Sequence, residues 1–196
     1  MGSDRLSRAI AAIDAANADD PQVIVVHGKS RPKEQAHAEL ATTWVEALCD
    51  EPDGPSEVLR LAARAHHLRR WEIPRSTYPE GRRGYHRWRR DLQAFHADGV
   101  AAILEELDYG HAEVERVRAL VTKQKLSDPE TQILEDALCL VFLETQFHEL
   151  AERLDEDKLI DVTRRTLAKM SSRAIACAGQ LELAPGDLEK IQRALA

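Results

Sequence analysis

The sequence is poor in several things at once. Its three cysteines, Cys49, Cys139 and Cys177, are odd in number, far apart and free of any Cys-x-x-Cys pair. That argues against a disulfide-stapled scaffold and a thiolate zinc site, and leaves buried reduced thiols as the expectation. β-Branched residues are sparse, which argues against a sheet-built core. No apolar run approaches the roughly 20 residues that a membrane-spanning helix requires. The first residues lack the continuous apolar segment of a secretory signal. A cytoplasmic location with no membrane partner is the expectation. Only nine glycines and eight prolines interrupt the chain.

What is abundant is Ala, Leu, Glu and Arg, which lose little side-chain freedom in a helix. The fold expected is all-α, one domain over residues 1–196 with about seven helices. Leu6, Ala9, Ile10, Ile13 and Ala16 form a first stripe, ended by the turn signal NADDP. QVIVVHGKS is a β-like run with no evident partner, either one isolated strand or an extended arm. Pro32 opens a helix carrying Leu40, Ala41, Trp44, Val45 and Leu48. Ser56 caps a helix predicted over 57–70. Residues 71–84, with two prolines, two glycines and no stripe, read as a long ordered basic loop. Helices are predicted over 85–107 and 113–123. Another follows a capping box of Ser127 and Glu130, then one over 157–177 and a short last one after Gly186.

The charge is uneven. The chain carries a formal charge of -7, yet between Arg60 and Gly99 ten arginines stand against Glu72, Glu80, Asp91 and Asp98. An anion, or an acidic face of the protein, belongs beside that segment. Arg70, Arg75, Arg82, Arg83 and Arg87 are the candidate phosphate or anion ligands, since a guanidinium fork matches phosphate. Trp71, Tyr78, Tyr85 and Trp88 are interleaved with them and could stack on unpaired bases.

Ligand-type residues cluster in the same region. His66 and His67 are adjacent near the end of a helix. His96 shares a helix face with Leu92, Phe95 and Gly99. Asp136 shares one with Cys139, Leu140, Leu143 and Phe147, where an ionised carboxylate needs a cation. His37 or Glu39 supplies an earlier ligand. Together these suggest a site for a divalent metal such as Mn, Fe, Ni or Zn.

The blocks IDAANADDP (13–21), PKE (32–34), 63–97, SDPETQILEDALCLVFLE (127–144) and KLIDVTRRTLAKMS (158–171) resemble the family called domain of unknown function forty-two-zero-two. They span nearly the whole chain, and the central block is long and specific. More distantly, AARAHHL resembles the His-Asp stretch of the HD phosphohydrolases, whose metal is held by an early His, a His-Asp pair and a late Asp on helices. That resemblance implies His66 and His67 at the pair, Asp136 as the late Asp and His37 or Glu39 as the early ligand. It departs from the pattern where His67 replaces the Asp. The first reading is therefore a metal-dependent phosphohydrolase acting on a phosphorylated small molecule or nucleotide. The alternatives are an RNA- or tRNA-binding protein that uses the basic aromatic loop, and a non-catalytic structural protein.

Overall fold

Ten α-helices, two 3-10 turns and one β-hairpin account for most of residues 2–125 and 127–195, which the computed structural model describes. In chain order these are α1 (Gly2–Ala18), β1 (Val23–Val26), β2 (Lys29–Pro32), α2 (Lys33–Leu48) and α3 (Glu57–Ala65). Then come α4 (Gly81–Glu106), α5 (His111–Val121), α6 (Pro129–Thr145) and α7 (Phe147–Arg153). The last are α8 (Glu156–Leu167), α9 (Ser172–Ala178) and α10 (Asp187–Leu195). The mostly helical single domain read from composition is what the chain forms. Among the described residues, no helix is long and apolar enough to cross a membrane.

The short helix α3 is the centre of the core. Its Leu59, Leu61, Ala62, Ala63 and Ala65 are all buried, so both broad faces are covered. It packs on α1, α2 and α5; α2 packs on α6, and α4 on α5. The alanines keep α3 thin, which lets those neighbours approach closely around it. Val45, Leu104, Leu120, Leu134, Leu140, Leu143 and Phe147 complete one continuous apolar cluster. Beyond it α8 packs on α10, and α9 returns to α6.

Several boundaries differ from the sequence reading. QVIVVHGKS is neither an isolated strand nor an arm. Val23–Val26 pairs antiparallel with Lys29–Pro32, with Val26 opposite Lys29. The two turn residues, His27 and Gly28, have φ of 48° and 75°, the positive pair that tight two-residue hairpins need. The helix predicted over 57–70 stops at Ala65. His66 caps it, and Arg69 adopts a left-handed conformation (φ 51°) that starts a 3-10 turn over Arg70–Glu72. α4 begins at Gly81, so the loop is shorter at its far end than 71–84 suggests. The α6 cap is Asp128, whose side chain accepts from the amides of Glu130 and Thr131. Glu130 does not close a capping box on Ser127; it bonds Ser56 and Arg116. The single helix predicted over 157–177 divides into α8 and α9, because Ser171 caps α9.

The loop between α3 and α4 is tied down by its own side chains. Trp88 donates from Nε1 to the Ile73 carbonyl (2.9 Å). Arg75 donates to the carbonyls of Tyr78 and Pro79, each at 2.9 Å. Tyr78 donates its hydroxyl to Asp91 at 3.2 Å. A Cβ at Gly84 would stand 1.8 Å from the Pro79 carbonyl oxygen, so the loop end lies directly on the α4 backbone.

Candidate functional site

The loop after α3 and the first turn of α2 meet at one point. Asp20 organises the α2 side: Oδ2 accepts from the Glu34 amide and Oδ1 from the Gln22 amide, both at 2.9 Å. Asn17 organises the other: its Oδ1 accepts from the Arg69 amide at 2.9 Å and so holds the left-handed residue in place. The end of α1 and the turn after it thus fix both halves of the site.

Glu34 is buried and faces two imidazoles. His67 donates from Nδ1 to Glu34 Oε2 at 3.0 Å, and His37 Nδ1 lies 3.5 Å from the same oxygen. Arg70 stands over them, with Nη1 3.4 Å from His67 Nε2 and Nε 3.8 Å from Glu34 Oε1. Its guanidinium lies 5.0 Å from the centre of the Trp88 ring. Burial works against the Glu34 carboxylate, but His67 beside it holds it below the usual carboxylate range. Burial lowers His67 to about 4, against the pull of Glu34.

The His37 tautomer bears on what this cluster can bind. Thr145 donates its single hydroxyl proton to the Val141 carbonyl (2.7 Å). His37 Nε2, 3.1 Å from that hydroxyl, must therefore be the donor. Its Nδ1 then carries a lone pair towards a carboxylate oxygen. Two acceptors face each other, an arrangement that calls for a cation or a proton between them. Ligand atoms of Glu34, His37 and His67 lie within 4.8 Å of one another. Metal bonds of about 2.0–2.2 Å place neighbouring ligand atoms about 3–3.5 Å apart, so the 3.5 Å between His37 Nδ1 and Glu34 suits a small divalent ion, which His67 would join only by giving up the Nδ1 proton that it donates to Glu34.

The cluster opens on a cavity of about 290 Å³ whose lining includes His37, His66, His67, Arg70, Arg89 and Phe142. Lys123, Glu135 and Lys169 close another part of its wall. Lys123 follows the end of α5 and bonds Glu135, which sits on α6. Burial opposes the Glu135 charge, but the two lysines keep its carboxyl below the usual range. Cys139 also lines the cavity, and burial pushes its thiol up to about 12, so it is no thiolate nucleophile.

A family model described as domain of unknown function (DUF4202) matches residues 7–191. The chain belongs to that family. No curated protein and no solved structure matches it.

Of the residues singled out in this DUF4202 chain, His67 and His37 fall in the cluster and His66 lies beside it, its ring centroid 4.5 Å from that of His67. His96 is next in line: its Nδ1 donates to the Leu68 carbonyl at 2.7 Å, and burial lowers its pKa to about 3. Glu39 stands elsewhere, bound by Arg31 with Arg64 3.6 Å away. Asp136 is also apart. Its oxygens accept from Gln132 Nε2 (2.9 Å), the Ser171 amide (2.9 Å) and the Ser171 hydroxyl (2.5 Å), anchoring the start of α9.

Among the expected arginines only Arg70 reaches the cavity. Arg75 clamps the loop, while Arg82, Arg83 and Arg87 lie on the exposed face of α4 with Arg90. Trp88 and Tyr78 hold the loop, Trp71 is half-buried and Tyr85 is exposed. Glu34, Arg89, Lys123 and Lys169 were not among the expected residues. Glu34 had one signal, the Glu-x-x-His spacing to His37, which puts both on one helix face.

Proposed function

We propose that this protein is a metal-dependent hydrolase of a small phosphorylated molecule. The observation that carries the reading is the Glu34–His37–His67 set, three ligand-type side chains open on one side to a cavity walled by cations. Two histidines and one glutamate with an open side is a recurrent ligand set of hydrolytic metal centres. Glu34, His37 and His67 would hold a divalent cation there, which would supply an activated water at neutral pH and polarise the bond to be cut. Arg70 stands ready to balance negative charge that develops on a phosphoryl oxygen. Thr145 keeps the His37 lone pair turned towards Glu34, and Asp20 and Asn17 hold the two segments in register. The size of the cavity suits one small organic phosphate.

The test is elemental analysis after exposure to Mn, Fe, Ni and Zn, followed by phosphate release from a panel of sugar phosphates and mononucleotides. Bound metal and metal-dependent release are expected in the wild type. His67→Ala is expected to lose most of the bound metal and to slow release at least about 100-fold. A wild type that takes up none of the four metals overturns the reading.

A second reading rests on a different surface. Arg82, Arg83, Arg87 and Arg90 are exposed on the outer face of α4 beside exposed Tyr85. Such a face supports binding of single-stranded RNA, with phosphates on the arginines and a base on the tyrosine. Retention of labelled tRNA should then weaken steeply with salt. Retention that is unchanged in Arg82→Ala plus Arg83→Ala removes it.

A further inference from the structure

The cavity has two ends, built by different elements and charged differently. At one end, α2 and the chain after α3 supply Glu34, His37 and His67, with Arg70 beside them. There Glu34 and Arg70 largely offset each other. The other end takes Arg89 from α4, Lys123 after α5, Glu135 from α6 and Lys169 after α8. Lys123 bonds Glu135, and Lys169 approaches it at 3.7 Å. Arg89 makes no ion pair or hydrogen bond with any described residue. Three cations against one carboxylate leave a surplus of two positive charges along this wall, with the Lys123–Glu135 pair largely buried and Lys169 more open to solvent.

His66 lies behind this wall. His66 is only 9% exposed, lines the cavity, and its Nδ1 has no hydrogen-bond partner among the described residues. Buried ring nitrogens are ordinarily satisfied. Its ring packs beside His67, while Lys123 and Arg89 act on it from the other end.

We infer that this cationic end is a separate, metal-independent anchor for a phosphate dianion, formed by Arg89, Lys123 and Lys169. The inference rests on the reading of the cavity as a site for a phosphorylated small molecule, and it sharpens the ligand class. The ligand is a small organic phosphate held by a phosphate handle at this end. It presents a second group to the Glu34–His37–His67 end. The guanidinium fork of Arg89 takes two phosphate oxygens, the lysines act as point charges, and the surplus of positive charge matches a dianion.

The experiment is calorimetric titration of the full chain with inorganic phosphate in excess chelator, with elemental analysis of the same proteins after metal exposure. Wild type is expected to bind phosphate without metal. Arg89→Gln and Lys169→Gln are each expected to weaken it about tenfold or more. His37→Gln is expected to stay within about twofold while losing metal. The Lys169 side chain is 60% exposed, so that variant tests the anchor without disturbing the core. Phosphate binding without metal uptake upholds the anchor and removes the metal reading. Metal uptake without phosphate binding in chelator overturns the anchor alone. So does phosphate binding that is unchanged in both Arg89→Gln and Lys169→Gln.

Discussion

Asp136 illustrates how a single residue can look like a ligand and act as a strut. Cys139, Leu140 and Leu143, which share its helix face, are apolar, and a buried carboxylate there needs partners. The partners are hydroxyl and amide groups of Ser171, 35 residues away, and Gln132 one turn back. Asp136→Ala leaves those donors without an acceptor. It is expected to cost about 1–3 kcal/mol, seen as a lower thermal midpoint with bound metal unchanged. Loss of metal at an unchanged midpoint would return Asp136 to the ligand set. Glu34 is the converse case. An acidic residue in the first turn of a helix ordinarily needs no explanation beyond the helix dipole. Its role emerges only when His67 arrives from 33 positions further on. Local spacing could pair Glu34 with His37, but it could not announce His67 or the donors on Asp136.

At the scale of elements, the helices were legible and their ends less so. Ser56 caps α3 as expected, because a cap is a local bond: its Oγ accepts from the Leu59 amide at 3.1 Å. The end of α3 carries no glycine or proline to announce it, and the left-handed residue there is Arg69, held by Asn17 from another helix. Lys29–Pro32 lacks any strand pattern, so β1 had no visible partner. Of the two glycines in the basic segment, Gly81 (φ 83°) opens α4 and Gly84 lies within it. Gly84 is there for want of a side chain. Gly84→Ala would force the loop off the helix. Faster limited proteolysis between residues 66 and 80 is expected, with helix content nearly unchanged. Equal cleavage rates in variant and wild type would mean that the contact with Pro79 does not hold the loop.

The whole molecule carries its buried histidines as a pH liability. His96 has a folded pKa of about 3 and His67 of about 4, against 6.5 for a free imidazole. Below 6.5 the unfolded chain takes up protons that the folded chain refuses. The contribution of these two histidines to stability is therefore fully present above about pH 6.5 and is lost as pH drops towards 4 and then 3. The thermal midpoint is expected to decline between pH 7 and pH 5. His96→Gln keeps a donor for Leu68 and cannot titrate, so its decline should be shallower. An equal slope in both proteins would mean that His96 is already protonated in the fold.

The proton that Thr145 passes to Val141 also has a consequence in time. Thr145 and His37 are 108 residues apart. A growing chain holds Glu34, His37 and His67 long before it holds the hydroxyl that selects the His37 tautomer, and before the lysines beyond them. These three side chains can collect early, but the pocket around them is finished only when α6 and the chain after α8 have docked. Nascent chains that stop between these points would carry the three side chains with neither their orientation nor their charged surroundings. The order of synthesis thus leaves the cavity unfinished until the fold is nearly complete.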